Sequence, residues 1–104
     1  MHVKVDRFIS YKFPVPVESY TDPSAEDIIF TTHVVMTDGQ HLMISDTQRG
    51  SGYTRIDETL VFICDQAGDI TDWTEVAGSR CARTDQIVSD LNEYGYRRPS
   101  EYDC

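Results

Sequence analysis

From His2 to Ile9 the chain alternates, with Val3, Val5 and Ile9 on one side and His2, Lys4 and Asp6 on the other. A period of two predicts a half-buried strand. The next stretch, Ser10 to Glu26, carries Pro14, Pro16 and Pro23. Proline lends no N–H to a ladder, so Lys12 to Val17 is expected to be extended as an edge strand or in polyproline geometry. Tyr11, Phe13 and Tyr20 give this stretch apolar area with which to pack.

Asp27 to Met36 and Gln40 to Asp46 flank Asp38-Gly39, a strong short-range signal for a hairpin. A two-residue type I′ turn would pair Thr37 with Gln40, Met36 with His41, Val35 with Leu42 and His33 with Ile44. One face would then collect Phe30, Val34, Met36 and Met43, and the other Ile29, Val35, Leu42 and Ile44. Two apolar faces place such a hairpin well inside a sheet. Thr47 to Thr54, with Gly50 and Gly52, reads as a connecting loop. Asp57 to Cys64 is apolar on both faces and is expected to be central. Gln66-Ala67-Gly68-Asp69 turns the chain, Ile70 to Ala77 returns antiparallel, and Gly78-Ser79 ends that strand.

After Thr84 the period lengthens. Ile87, Val88, Leu91 and Tyr94 recur at helical spacing, opposite Asp85, Ser89, Asp90 and Glu93. Thr84 suits an N-cap, Asp85 the positive end of the helix dipole and Gly95 the stop. About eleven residues make a marginal helix alone, so it must pack on the sheet. The tail from Tyr96 to Cys104 is polar and is expected to be loose. The predicted class is α+β: an antiparallel sheet of four or five strands with one C-terminal helix packed on it. The 104 residues suit a single domain spanning 1–104 with one core.

Charge narrows the partners. The net charge is -9, and from Ile56 to Ser79 there are six acidic side chains and no Lys or Arg. Such a surface repels phosphate backbones and favours a cationic partner, so direct nucleic-acid binding is not expected. The opening residues lack the apolar core of a signal peptide, and no apolar run is long enough to span a bilayer. Cys64, Cys81 and Cys104 make an odd count with no close pair, which argues against a disulfide framework and for a reducing cytoplasm.

Candidate chemistry is sparse. The Gly50–Gly52 loop lacks the third glycine of a dinucleotide fingerprint and the Gly-Lys-Ser/Thr of a phosphate loop, although Arg49 and Arg55 flank it. In the register above, His33 and His41 face opposite ways and cannot share a metal ion. Asp65, Asp69 and Asp72 lack the alternate spacing of a calcium loop and suit a turn. Cys64 ends an apolar strand, where a thiol is an inert hydrophobe; Cys81 sits between Arg80 and Arg83, which favour its thiolate, but no histidine can be placed beside it. The expectation is a protein without a catalytic residue, cofactor or metal. Trp73, the one tryptophan, lies among Thr71, Asp72, Thr74 and Glu75, as either a lid on the core edge or an interface anchor.

Asp57-Glu58-Thr59-Leu60-Val61-Phe62, then Cys64-Asp65, then Gly68 to Val76 and a short amphipathic helix form a pattern over residues 57–94. It resembles small uncharacterised accessory proteins of tailed bacteriophages. The resemblance implies a protein at work in a bacterial cytoplasm and carries over no functional residue. Two readings follow. The first is an acidic, non-enzymatic interaction protein, akin to the phage-encoded inhibitors of host defence that include anti-CRISPR proteins. It would bind a basic surface of a host protein through Asp65, Asp69, Asp72, Trp73 and Glu75. The alternative is a small ligand-binding domain or enzyme using the Gly50–Gly52 loop.

Overall fold

The computed structural model describes residues 3–18, 26–49, 56–79 and 81–96. Five strands, β1 (Val5–Glu18), β2 (Glu26–Met36), β3 (His41–Arg49), β4 (Ile56–Cys64) and β5 (Ile70–Ser79), are followed by one helix, α1 (Thr84–Tyr94). The sheet order is β1-β2-β3-β4-β5, with each strand antiparallel to its neighbours. This is the α+β arrangement that the periodicity predicts.

The first hairpin closes differently from the expected type I′ turn. Met36 N–H donates to Gln40 O and Gly39 N–H to Met36 O, both at 2.9 Å, so Thr37, Asp38 and Gly39 form the loop. Gly39 has φ of 89°, a conformation that an L side chain resists. The Asp38 carboxylate accepts the Gln40 N–H at 2.9 Å. This third loop residue moves the register by one: Val35 now faces His41 and Val34 faces Leu42. A one-residue slip turns every side chain of the strand over. Val34, Met36, Leu42 and Ile44 therefore share one face, where the type I′ register divides them, and His33 and His41 share the other. The second hairpin repeats the device, with Gly68 N–H donating to Asp65 O, Asp65 N–H to Asp69 O, and Gly68 at φ of 90°.

The core lies between the sheet and α1. Val34, Met36, Leu42, Ile44, Val61 and Ala77 meet Ile87 and Leu91, all buried. Several hydrogen bonds tie the layers. Thr59 Oγ1 donates to Ala82 O at 2.6 Å, and Val5 N–H donates to Asn92 Oδ1 at 2.9 Å. Arg83, not Thr84, is the N-cap, and its side chain makes no capping bond. The helix is capped from the sheet instead, by Asp46. At the other end Gly95 N–H donates to Leu91 O, and the Tyr96 hydroxyl donates to the Asp38 carboxylate at 2.9 Å. Tyr96 is thus held, where the sequence predicts a loose tail; residues 97–104 lie outside the described residues.

Both outer strands are irregular. β1 carries three register shifts against β2, at Val5/Arg7, Phe8/Ser10 and Lys12/Val15, each inserting one extra residue into β1. Pro14 falls within the third shift, where a missing N–H costs the ladder nothing. Bulges also spoil the outer edge as a template for another strand. They break the alternation read from the sequence: Val3 and Val5 pack on the core, but Ile9 is exposed. β3 runs on through Thr47, Gln48 and Arg49, which pair with Glu58, Asp57 and Ile56, so the predicted loop starts later than expected. Residues 50–55, and with them the Gly50–Gly52 loop, lie outside the described residues.

Cys64 is free and buried, whereas Cys81 is disulfide-bonded. That corrects the expectation drawn from the odd cysteine count, which argued against a disulfide and for a reducing compartment, and removes Cys81 as a nucleophile candidate in this state. The odd count concealed a pair because close sequence spacing is no requirement for a disulfide.

Candidate functional site

The predicted partner-binding residues gather along the second hairpin. Asp65 and Asp69 bracket its loop, while Asp72, Trp73 and Glu75 lie on β5. The first acid has a structural duty: Asp65 Oδ1 accepts the N–H groups of Ala67 and Asp69, both at 2.9 Å. Asp69 is exposed.

β5 then departs from its partner. Ile63 faces Asp72, but Val61 faces Ala77, so the four residues 73–76 stand opposite Phe62 alone. Asp72 Oδ1 accepts the Thr74 N–H at 2.9 Å within this bulge, and these hydrogen bonds hold the carboxyl below its ordinary range. Bulges re-aim side chains. Here Trp73 stands edge-on to Phe62, with ring centroids 5.3 Å apart, on the sheet face opposite α1. Even so, Trp73 is 71% exposed, which decides against its serving as a lid on the core.

Behind the loop lies a histidine pair that the expected register separated. His33 Nε2 and His41 Nδ1 are 2.8 Å apart, so one ring donates and the other accepts. Burial lowers the His33 pKa, nearby His41 adds to that, and Asp65 opposes it. Gly68 covers the pair: a Cβ there would lie 3.3 Å from His33 Nδ1 and 3.2 Å from Met43 Cε. The acidic loop is therefore seated on His33. Next to it, burial and the charges of Asp65 and Asp69 push the Cys64 thiol up to about 11. Among the described residues no three His, Cys, Asp or Glu side chains come together as a metal site.

A second polar cluster lies on the helix side. Asp46 is 5% exposed, and its Oδ2 accepts the Thr84 N–H at 3.1 Å and the Thr84 hydroxyl at 3.2 Å. Asp57 is its diagonal neighbour on β4, since Thr59 faces Asp46 and Asp57 faces Gln48. Burial is the largest influence raising the Asp46 pKa; the Thr84 backbone bond opposes it, and the charge of and a hydrogen bond with Asp57 push it further up. Its Oδ1 is buried with no hydrogen-bond partner among the described residues. Arg83 Nε lies 3.5 Å from Asp57 Oδ2. Sequence inspection passed over Asp46 and Asp57 because acids are common in this chain. The usable signal was the period of two, which puts Asp46 on the same face as Leu42 and Ile44.

No protein-family model, curated protein or solved structure matches this chain. Among the described residues, no helix is long and apolar enough to cross a membrane.

Proposed function

We propose that this protein is a non-enzymatic interaction module that docks on a basic protein surface, with Trp73 as the anchor. The exposure of Trp73 carries the reading: a tryptophan left 71% open, propped edge-on against Phe62 by a bulge. Large aromatics held in place lose little entropy on binding and dominate many interfaces. The charge supports a cationic partner, since residues 56–79 carry six acids and no Lys or Arg. Such a field speeds encounter with a basic surface. The phage-like pattern over residues 57–94 fits a small inhibitor of a host defence protein.

The test separates anchor from field. The partner is recovered by pull-down from host cells, and binding is followed by surface plasmon resonance at low and high salt. Trp73→Ala is expected to speed dissociation by up to roughly 30-fold, corresponding to about 2 kcal/mol. Charge reversal at Asp69 and Glu75 is expected to slow association and to flatten its salt dependence. Asp72 is spared because it supports the bulge. Circular dichroism checks that both variants fold. Unchanged rates in both folded variants would reject this surface.

A further inference from the structure

A row of side chains joins the buried histidines to the docking surface. His33 pairs with Met43 across β2 and β3, Met43 pairs with Phe62 across β3 and β4, and Trp73 stands edge-on to Phe62. Residues directly opposite in a ladder share a sheet face, so the row lies on the face away from α1. The loop of the second hairpin closes over its inner end. A Cβ on Gly68 would lie 3.3 Å from His33 Nδ1 and 3.2 Å from Met43 Cε, so the loop backbone rests on both side chains. Asp65 Oδ1 fixes that loop by accepting the Ala67 and Asp69 N–H groups.

His33 is confined while the loop stays shut. It is 2% exposed, Gly68 lies against its Nδ1 edge, and its Nε2 meets His41 Nδ1 at 2.8 Å. That contact holds one proton, because one ring donates and the other accepts with a lone pair. A first added proton is tolerated, since an imidazolium still donates to a neutral ring. A second is not: both facing nitrogens then carry protons, no acceptor remains between them, and like charges stand at hydrogen-bond distance. His41 is only partly buried and can turn to water, which leaves His33 with a buried charge and a lost acceptor. Water then reaches His33 only if the loop lifts.

Few charges surround the pair. His41 meets His33 from β3, and Asp65 in the loop favours the charged ring. Burial and His41 outweigh Asp65 and hold the His33 pKa below its ordinary value. β1 sets Ser10 opposite His33, and Arg7 on that strand is exposed and tied to Asp6 at 2.9 Å. At the end of β4, Cys64 is a neutral thiol, and Asp69 bears on Cys64.

We infer that the His33–His41 pair is an acid switch beneath the docking hairpin: charging both rings unseats the Asp65–Asp69 loop and so weakens docking through Trp73. The effect on docking rests on the function proposed above, whereas the loop movement stands on the fold alone. The sign follows from linkage. With the folded His33 pKa lowered, its contribution is full above the ordinary value of 6.5 and is lost as pH falls through the folded value.

Residue-resolved hydrogen exchange by NMR, corrected for the intrinsic effect of pH, tests the loop without a partner. From about pH 7.5 to 4.5 the Ala67 and Asp69 amides are expected to lose protection at least roughly tenfold, while the Ile44 and Val61 amides in the core keep theirs. His33→Gln and His41→Gln each leave a hydrogen-bonding side chain that does not titrate, and either is expected to abolish the loop response. His41→Gln serves if His33→Gln fails to fold, because His41 is less buried. A wild-type loop still protected at the acid pH would overturn the inference. So would core amides opening together with the loop, or a response that persists in the glutamine variants, which would place the titration on Asp65. Surface plasmon resonance with the recovered partner reads the consequence: wild type is expected to dissociate at least roughly fivefold faster at the acid pH than either variant. The same acid response in wild type and variants would overturn the switch, whereas binding indifferent to Trp73→Ala would reject the docking function and leave the loop result standing.

Discussion

Asp46 caps α1 from the sheet with a carboxyl whose pKa burial raises, so two substitutions at this position should behave in opposite ways. Asp46→Ala removes the acceptor for both the Thr84 N–H and the Thr84 hydroxyl. Losing a helix N-terminal acceptor costs about 0.5–2 kcal/mol, and burial puts this site at the upper end. Asp46→Asn keeps a carbonyl oxygen for Thr84 and removes a carboxyl whose charged form burial disfavours, so its expected cost is within about 0.5 kcal/mol, the scale of a benign substitution. The pH dependence gives the sharper measurement. Burial raises the folded Asp46 pKa above the ordinary value of 3.8, so the folded state binds a proton more readily than the unfolded chain does. Its contribution is full below 3.8 and is lost as pH rises through the folded value. Asparagine does not titrate. The stability of Asp46→Asn minus that of wild type should therefore increase as pH rises above 3.8, with other carboxylates cancelling in the difference. Urea unfolding followed by circular dichroism measures it. A difference that stays flat with pH, or an asparagine as costly as alanine, would refute the raised pKa.

Cys64, buried and with its thiol pushed up to about 11, is expected to resist iodoacetamide in the native protein and to react only after unfolding. Mass spectrometry of labelled native and urea-unfolded samples distinguishes the two, and rapid native labelling would contradict the burial. Gly68→Ala is expected to cost roughly 1–2 kcal/mol by thermal or urea unfolding, because φ of 90° is strained for alanine and its Cβ presses on His33 and Met43. Gly39→Ala has the same backbone strain but meets nothing within 4 Å, so it should cost less; equal costs would show that the Gly68 contact carries no weight.

Much of the architecture was legible because strand and helix periods are local properties. Asp57 to Cys64 reads as a strand buried on both faces, and β4 pairs on both sides while Val61 and Phe62 are buried on opposite faces. The spacing of Ile87 and Leu91 likewise marks the face of α1 that enters the core. Trp73 stood out as the one tryptophan among polar residues, but the local reading left open whether it covers the core edge or stands exposed.

What alternation cannot supply is which residues become neighbours across strands. One more residue in the Thr37–Gly39 loop reversed the face of every β3 side chain. That single step brought His33 to His41 and united Val34 with Leu42 and Ile44. The bulges in β1 and β5 similarly interrupt the period of two, exposing Ile9 and re-aiming Trp73. The strands, the helix and the acidic character are thus determined by the sequence itself, since each depends on residues a few positions apart. Only the tertiary structure decided the histidine pair, the capping of α1 by Asp46 and the disulfide at Cys81. Each joins residues distant along the chain, and their meeting depends on hydrogen bonds in turns and bulges that shift a whole strand by one place.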